Sequence, residues 1–171
     1  AKALGVPEIY LKREDLHQYG SHKGRSIPLM MKRYVKNGIR AFVISSSGNA
    51  ALAAIHAAAQ HNKNNPDKPI TLSVCIGNKI NDDKKRRIES GIKNHESYIK
   101  IIQNSAPKRT AFQIEKTSGA KWLRQSTDDL ALEGYNELAS ELNNIPNLAA
   151  IFIPTSSGAT AQALGIAYEN L

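Results

Sequence analysis

A lysine stands between small residues in GSHKGR, residues 20–25. A surface lysine has no need of Gly20, Ser21 and Gly24 beside it, whereas an amine that must meet a bulky partner at close range does. Lysine attacks an aldehyde only when neutral, and desolvation or a nearby cation such as Arg25 lowers its pKa towards that form. Two other stretches suggest a second chemistry. AFVISSSGNAALA spans 41–53 and IFIPTSSGATAQA spans 151–163. At an offset of 110 residues, Phe42 matches Phe152, Ser46, Ser47 and Gly48 match Ser156, Ser157 and Gly158, and Ala51 and Ala53 match Ala161 and Ala163. Each unit reads as an apolar strand, a Ser-Ser-Gly turn and an Ala-rich helix. Free N–H groups and the positive dipole end of such a helix attract anions, and serine hydroxyls add donors. One such turn alone is equally an ordinary serine-capped helix start. Two alike point to a ligand with two anionic ends, or to two ligands. Neither turn is a Walker loop or a GxGxxG fingerprint.

A reactive lysine and two anion sites together suggest an amine nucleophile, a phosphate-bearing cofactor and a carboxylate substrate. Pyridoxal phosphate combines a phosphate with an aldehyde and serves as an electron sink for amino-acid carbanions.

The elements that position these residues alternate along the chain. Strands are predicted at 8–14, 40–46, 70–77, 97–103, 121–126 and 148–154. Helices are predicted at 23–38, with Pro28 in the first turn or two and Gly38 as a stop, and at 48–62. Others follow from residue 82 to Gly91 or just beyond, over 127–144 with Thr127 or Asp128 as N-cap, and over 158–171. Residues 62–69 read as a loop, and 104–121 are ambiguous. Strands bounded by helices argue for an α/β fold with a parallel sheet. The uninterrupted apolar runs 42–45 and 149–153 predict strands buried on both faces.

The 171 residues suit one domain, or one domain with a small lobe, and 41% hydrophobic residues suffice for a core. No apolar run is long enough to span a bilayer, and no signal-peptide pattern opens the chain. The single cysteine, Cys75, lies in the apolar run ITLSVCIG and reads as a buried strand residue, which fits a cytoplasmic setting. The formal net charge is +8, and the densest charged run is DDKKRRIESGIKNH, residues 82–95. As a helix this run places Ile88 and Ile92 on one face and Lys84, Lys85, Arg86 and Arg87 outside. It lacks aromatic interleaving and any nucleic-acid-binding signature. It is therefore read as a solvated face rather than a nucleic-acid surface.

YLKREDLHQYGSHKGR resembles the lysine segment of the fold-type II pyridoxal-phosphate enzymes, which include threonine synthase, threonine deaminase, cysteine synthase and the tryptophan synthase β chain. SSSGNAALAAIHAAA is similar to that family's Ser-Gly-Asn loop and helix, nearest to threonine synthases. EGYNELASEL, followed by IFIPTSSGATAQALG, is similar to the helix, strand and phosphate loop that come next. The motifs stand in family order and the resemblance covers nearly all of 7–171.

The resemblance implies a two-lobed, three-layer αβα fold with a parallel sheet. Residues 1–37 would be the N-terminal part of the large lobe with the catalytic lysine. Residues 38–121 would be the small lobe, and 122–171 the continuation of the large lobe with the phosphate loop. The C-terminal part of the large lobe is expected to be missing from this stretch of sequence. Lys23 would carry pyridoxal 5'-phosphate as a Schiff base and act as the base at the substrate Cα. Asn49 would hydrogen-bond the cofactor's phenolic 3′-oxygen. Ser46, Ser47, Gly48, Asn49 and Ala50 would hold the substrate carboxylate. Ser156, Ser157, Gly158, Ala159 and Thr160 would cradle the phosphate. Ser21 and His22 would stand near the pocket, and Lys12, Arg13, Glu14 and Asp15 would be scaffolding. Ser156 and Ala159 occupy positions where the family commonly has glycine. No metal is implied. The partners would be a small amino-acid substrate and, at full length, a second copy in a homodimer. The activity implied is elimination or replacement at the β or γ carbon of a small amino acid, threonine synthase-like. The alternatives are serine/threonine ammonia-lyase or cysteine synthase activity, or a non-catalytic α/β binding module derived from such an enzyme.

Overall fold

The computed structural model describes Gly5 and residues 8–170. The apolar runs pair as expected. Strands β1 (Ala41–Ser45), β2 (Thr71–Gly77), β3 (Ile99–Asn104) and β4 (Lys121–Trp122) form a wholly parallel sheet in the order β3-β2-β1-β4. The register sets Ala41 opposite Thr71 and Leu72 opposite Ile99. Alternation along each strand divides the side chains between two faces. Phe42, Ile44, Leu72, Val74 and Ile76 join a core with helices α1 (Lys23–Lys36), α2 (Asn49–Asn64) and α3 (Asp82–Ile92). Val43 and Cys75 face the other way, towards Ala111 and Ile114 of α4 (Pro107–Ser118). This is a three-layer αβα arrangement. Cys75 is buried, and burial pushes its thiol pKa up, as suits a packing residue.

Local signals explain the helix ends. Helix α1 closes at Gly38 (φ 87°) with the Ile39 N–H donating to Tyr34 O at 3.0 Å and the Gly38 N–H to Val35 O at 3.1 Å, a Schellman closure. Pro28 sits in its second turn. Helix α3 starts where the Asn81 side chain accepts from the amides of Asp83 and Lys84. It buries Ile88 and Ile92 and leaves Lys84, Arg86 and Arg87 exposed, as expected, while Lys85 is half-buried. The ambiguous stretch 104–121 contains α4, which opens on Pro107 and stops before Gly119 at φ 70°.

Four expectations need correction. Residues 8–13 form no strand; they run irregular and largely exposed into a 3-10 turn at Glu14–Leu16. The apolar run 148–154 is likewise irregular: Leu148 and Ile153 pack on a neighbouring cluster, but Phe152 is 93% exposed. A strand needs a neighbour to take its backbone bonds, and no described strand lies beside this one. The helix expected over 127–144 is broken into α5 (Leu130–Glu133) and α6 (Asn136–Asn143), because Gly134 lies hard against the backbone of α1. Its N-cap is Asp129, while the Asp128 side chain accepts from the Leu130 amide at 3.2 Å. The last helix, α7 (Ala159–Glu169), matches the expectation over 158–171 as far as the structure describes it; Leu171 lies outside the described residues, as do parts of the segment 1–37. A second apolar cluster joins Tyr135, Leu138, Ala139 and Leu142 to Ala163 and Leu164 of α7. Among the described residues no helix is long and apolar enough to cross a membrane.

Candidate functional site

Lys23 is the first residue of α1 and is half-buried. Its amide is within 3.3 Å of Ser21 Oγ, which begins the helix turn. Gly24 must be small because a Cβ there would come within 2.4 Å of Tyr19 Cβ and 2.7 Å of the His17 ring. The small residues around the lysine thus let the chain fold back on itself before the helix. The Lys23 Nζ donates to Gln125 Oε1, and Gln125 Nε2 donates to the Tyr135 hydroxyl at 2.5 Å. Burial lowers the Lys23 pKa. His22 beside it is pushed down by burial and then by the Lys23 charge, with Glu14 opposing.

Arg25 does not act on the lysine as the sequence suggested. Its side chain is 2% exposed and forks onto Glu14 at 2.7 and 2.8 Å and Glu141 at 2.9 and 3.2 Å, with Glu137 at 3.4 Å. Hydrogen bonding to Glu14 heads the effects that hold the guanidinium in its charged form. With its charge matched by carboxylates, Arg25 contributes little to lowering the Lys23 pKa. Lys12 meets Glu141 at 2.5 Å and Arg13 meets Asp15 at 2.6 Å. This charged lead-in ties the segment before Lys23 to α6, which is a scaffolding role.

Both Ser-Ser-Gly turns open helices. At the first, Ser46 Oγ accepts from the Gly48 amide at 3.2 Å and Gly48 caps α2. The first intrahelical bond runs from Leu52 N to Gly48 O, so the amides of Asn49, Ala50 and Ala51 have no partner among the described residues. Asn49 is exposed, and Ser46 and Ser47 are half-buried. At the second, Gly158 adopts φ 79°, a conformation that favours glycine, and caps α7. Its amide donates to Thr155 Oγ1 at 3.0 Å, and the Ala159 amide reaches Ser157 Oγ at 3.5 Å. The Gln162 amide bonds Gly158 O, which leaves those of Thr160 and Ala161 unpartnered among the described residues. Ser156 and Ser157 are exposed, Thr160 is half-buried and Ala159 is buried.

Helix α1 packs against α2 and α5, and α5 packs against α7, so the lysine helix touches one turn's helix directly and reaches the other through α5. Among the described residues no hydrogen bond joins Lys23 to either turn. Two clefts of about 490 and 550 Å³ lie elsewhere, one around Tyr34, Lys121, Trp122 and Asp128, the other between α6 and α7. Neither is lined by Lys23 or by the two turns. An amine eased towards neutrality and helix starts with free amides and hydroxyls are the donor types that an aldehyde bearing a phosphate needs. Gln125 and Tyr135 were not anticipated. An isolated glutamine after a two-residue strand carries no motif, and a tyrosine in an apolar helix reads as core.

A family model described as "Pyridoxal-phosphate dependent enzyme" matches residues 1–171. The chain belongs to this family. Among curated relatives, it is 29% identical over 136 residues to L-serine dehydratase/L-threonine deaminase from Bos taurus, covering 78% of this chain and 38% of that protein. Its fold is similar to the processed form of threonine deaminase isoform 2 from Solanum lycopersicum, with a TM-score of 0.81 at 19% identity, over 99% of this chain and 45% of that one. It is also similar to a pyridoxal 5'-phosphate-dependent aspartate racemase, with a TM-score of 0.78 at 22% identity, over 93% and 46% of the two chains. At such identities the structural likeness bears on the fold alone. The chain spans less than half the length of these relatives. They are deaminases and a racemase rather than threonine synthases.

Proposed function

We propose that this chain carries the cofactor-bearing lysine of a pyridoxal-phosphate-dependent enzyme that eliminates a substituent from the β carbon of a small hydroxy amino acid. The reaction class follows the serine/threonine dehydratase relative. The observation that carries the site is the Lys23 amine: half-buried, lowered in pKa by burial, and hydrogen-bonded to a neutral amide rather than to a carboxylate. Such an amine is neutral, and so nucleophilic, in a larger fraction of molecules at a given pH than a solvated lysine.

The remaining roles follow from the donor set. When bound, pyridoxal phosphate supplies an electron sink that stabilises negative charge at the substrate Cα. Lys23 would hold it through its amine and would move the Cα proton. Asn49 would offer a side-chain donor to the cofactor's phenolic 3′-oxygen. Ser46, Ser47 and the free amides following Gly48 hold a carboxylate. Ser156, Ser157, Gly158, Ala159 and Thr160 hold the phosphate at the start of α7. The small lobe would comprise residues 38–121, with 1–37 and 122–171 belonging to the large lobe. The finer likeness to threonine synthase rests on SSSGNAALAAIHAAA and makes replacement at the β or γ carbon the second reading. The test is to offer the full-length protein L-serine and L-threonine and measure ammonia and keto-acid release. Release that disappears in Lys23→Ala supports the reading. Release that persists in Lys23→Ala removes Lys23 from the reaction.

A further inference from the structure

We infer that Gln125 is a positioning residue for the Lys23 amine, itself held in place by the buried hydroxyl of Tyr135. This rests on the reading of Lys23 as the cofactor-bearing residue. The orientation of the amide follows from its partners. A lysine ammonium only donates, so the oxygen of Gln125 must face it. The Gln125 NH₂ group is then directed to the Tyr135 oxygen at 2.5 Å. Tyr135 is fully buried and packs in the cluster with Leu138, Leu142 and Leu164. Its backbone is fixed too, with the Tyr135 amide donating to Leu132 O and the Ala139 amide to Tyr135 O, each at 3.0 Å. A rigid ring therefore orients a half-buried amide, and the amide orients the amine, across 102 residues of sequence.

The choice of an amide matters because of its charge. It satisfies a donor of the amine without adding a negative charge that would favour the ammonium form. Several charged groups on the surrounding elements are engaged elsewhere. Glu14 ahead of α1 and Glu137 and Glu141 on α6 turn to Arg25, and Glu133 of α5 pairs with Arg33 at 2.8 Å. His22 adjoins the lysine, and His56 of α2 stands against Tyr19. Gln125 is thus the side chain that contacts the amine by hydrogen bonding among the described residues.

The experiment uses the purified protein without cofactor. Trace acetic anhydride acylates each lysine in proportion to its neutral fraction, and peptide mass spectrometry reads the Lys23 rate against pH. Gln125→Glu is expected to move the Lys23 profile up by about one pH unit, so that near pH 8 the amine reacts roughly tenfold more slowly. Gln125→Met, which keeps the length and loses the acceptor, is expected to move the profile down. Tyr135→Phe is expected to alter the Lys23 profile as well, because the amide loses its anchor. Lys84, on an exposed helix face, serves as the internal control. A Lys23 profile in Gln125→Glu that coincides with wild type, or a change shared equally by Lys84, overturns the positioning claim. Reducing each protein with borohydride after adding pyridoxal phosphate separates the two ideas. A pyridoxyl group on another lysine defeats the reading of Lys23 and leaves the measured coupling standing. A pyridoxyl group on Lys23 with an indifferent acylation profile defeats the positioning claim alone.

Discussion

Gly134→Ala places one methyl group where two backbones touch. A Cβ at this position falls 2.4 Å from the Arg25 carbonyl oxygen and 2.7 Å from Ser26 Cα. Ordinary contact between such atoms begins about 3.5 Å apart, so α1 and the α5–α6 corner must separate by roughly 1 Å. Neither neighbour is a flexible side-chain end, so the strain goes into moving helices. Overpacking of this kind costs about 1–3 kcal/mol, and the backbone partners place this case in the upper half of that range. Part is offset, because the residue's φ of −64° suits alanine and reduces the freedom of the unfolded chain by about 0.4–1 kcal/mol. The net loss is about 2 kcal/mol, or about 4–8 °C in Tm for a chain of this length. Thermal unfolding followed by circular dichroism measures it. Gly165→Ala is the companion substitution: Gly165 is exposed within α7, and a Cβ there meets nothing within 4 Å. It is expected to stabilise by about 0.5–1 kcal/mol. A Gly134→Ala protein with an unchanged Tm would refute the argument that close approach to α1 breaks the helix at this point.

Arg25→Ala leaves Glu14, Glu137 and Glu141 facing one another around a void. Because the two outer glutamates keep solvent contact, the expected loss is about 2–3 kcal/mol, below the range for a fully buried pair. Arg25→Lys should recover only part of it, since an ammonium cannot fork onto two carboxylates, and urea unfolding compares the two. Burial alone would raise the Glu141 pKa, but hydrogen bonds from Lys12 and then Arg25 outweigh it and hold the carboxyl below its usual range. The unfolded chain therefore binds the proton first as pH falls. Glu141 contributes stability that is complete above the ordinary glutamate pKa and is lost as pH drops through the folded value. Glu141→Gln should flatten this acid limb of a stability–pH curve, and an unaltered limb would show that the ion pair contributes nothing.

The layers of the fold were legible in the sequence because their signals are local. Phe42 to Ile44 is apolar on both sides of its strand, Leu72, Val74 and Ile76 are apolar on one side of theirs, Gly38 stops α1, and Asn81 starts α3. The run at 148–154 misled because its composition reports a tendency to be buried in a sheet, whereas a strand also requires a partner. The break at Gly134 depends on Arg25 and Ser26, more than a hundred residues earlier, and no periodicity within 127–144 encodes it. For the candidate site, the two Ser-Ser-Gly turns were legible as helix starts, and the crowded setting of Lys23 was legible from the small residues around it. The partner of the amine was not. Gln125 becomes informative only when the fold brings it to Lys23, and Arg25 was misassigned because its sequence neighbours do not show the glutamates that engage it.

The proposed function places the cofactor on the amine of Lys23. The most direct measurement is borohydride reduction of the full-length protein with pyridoxal phosphate, followed by peptide mapping. A pyridoxyl mass increment is expected on the peptide containing Lys23, absent in Lys23→Ala and in Lys23→Arg, whose guanidinium stays protonated. A stoichiometric increment on a different lysine, or one that survives in Lys23→Ala, would contradict it.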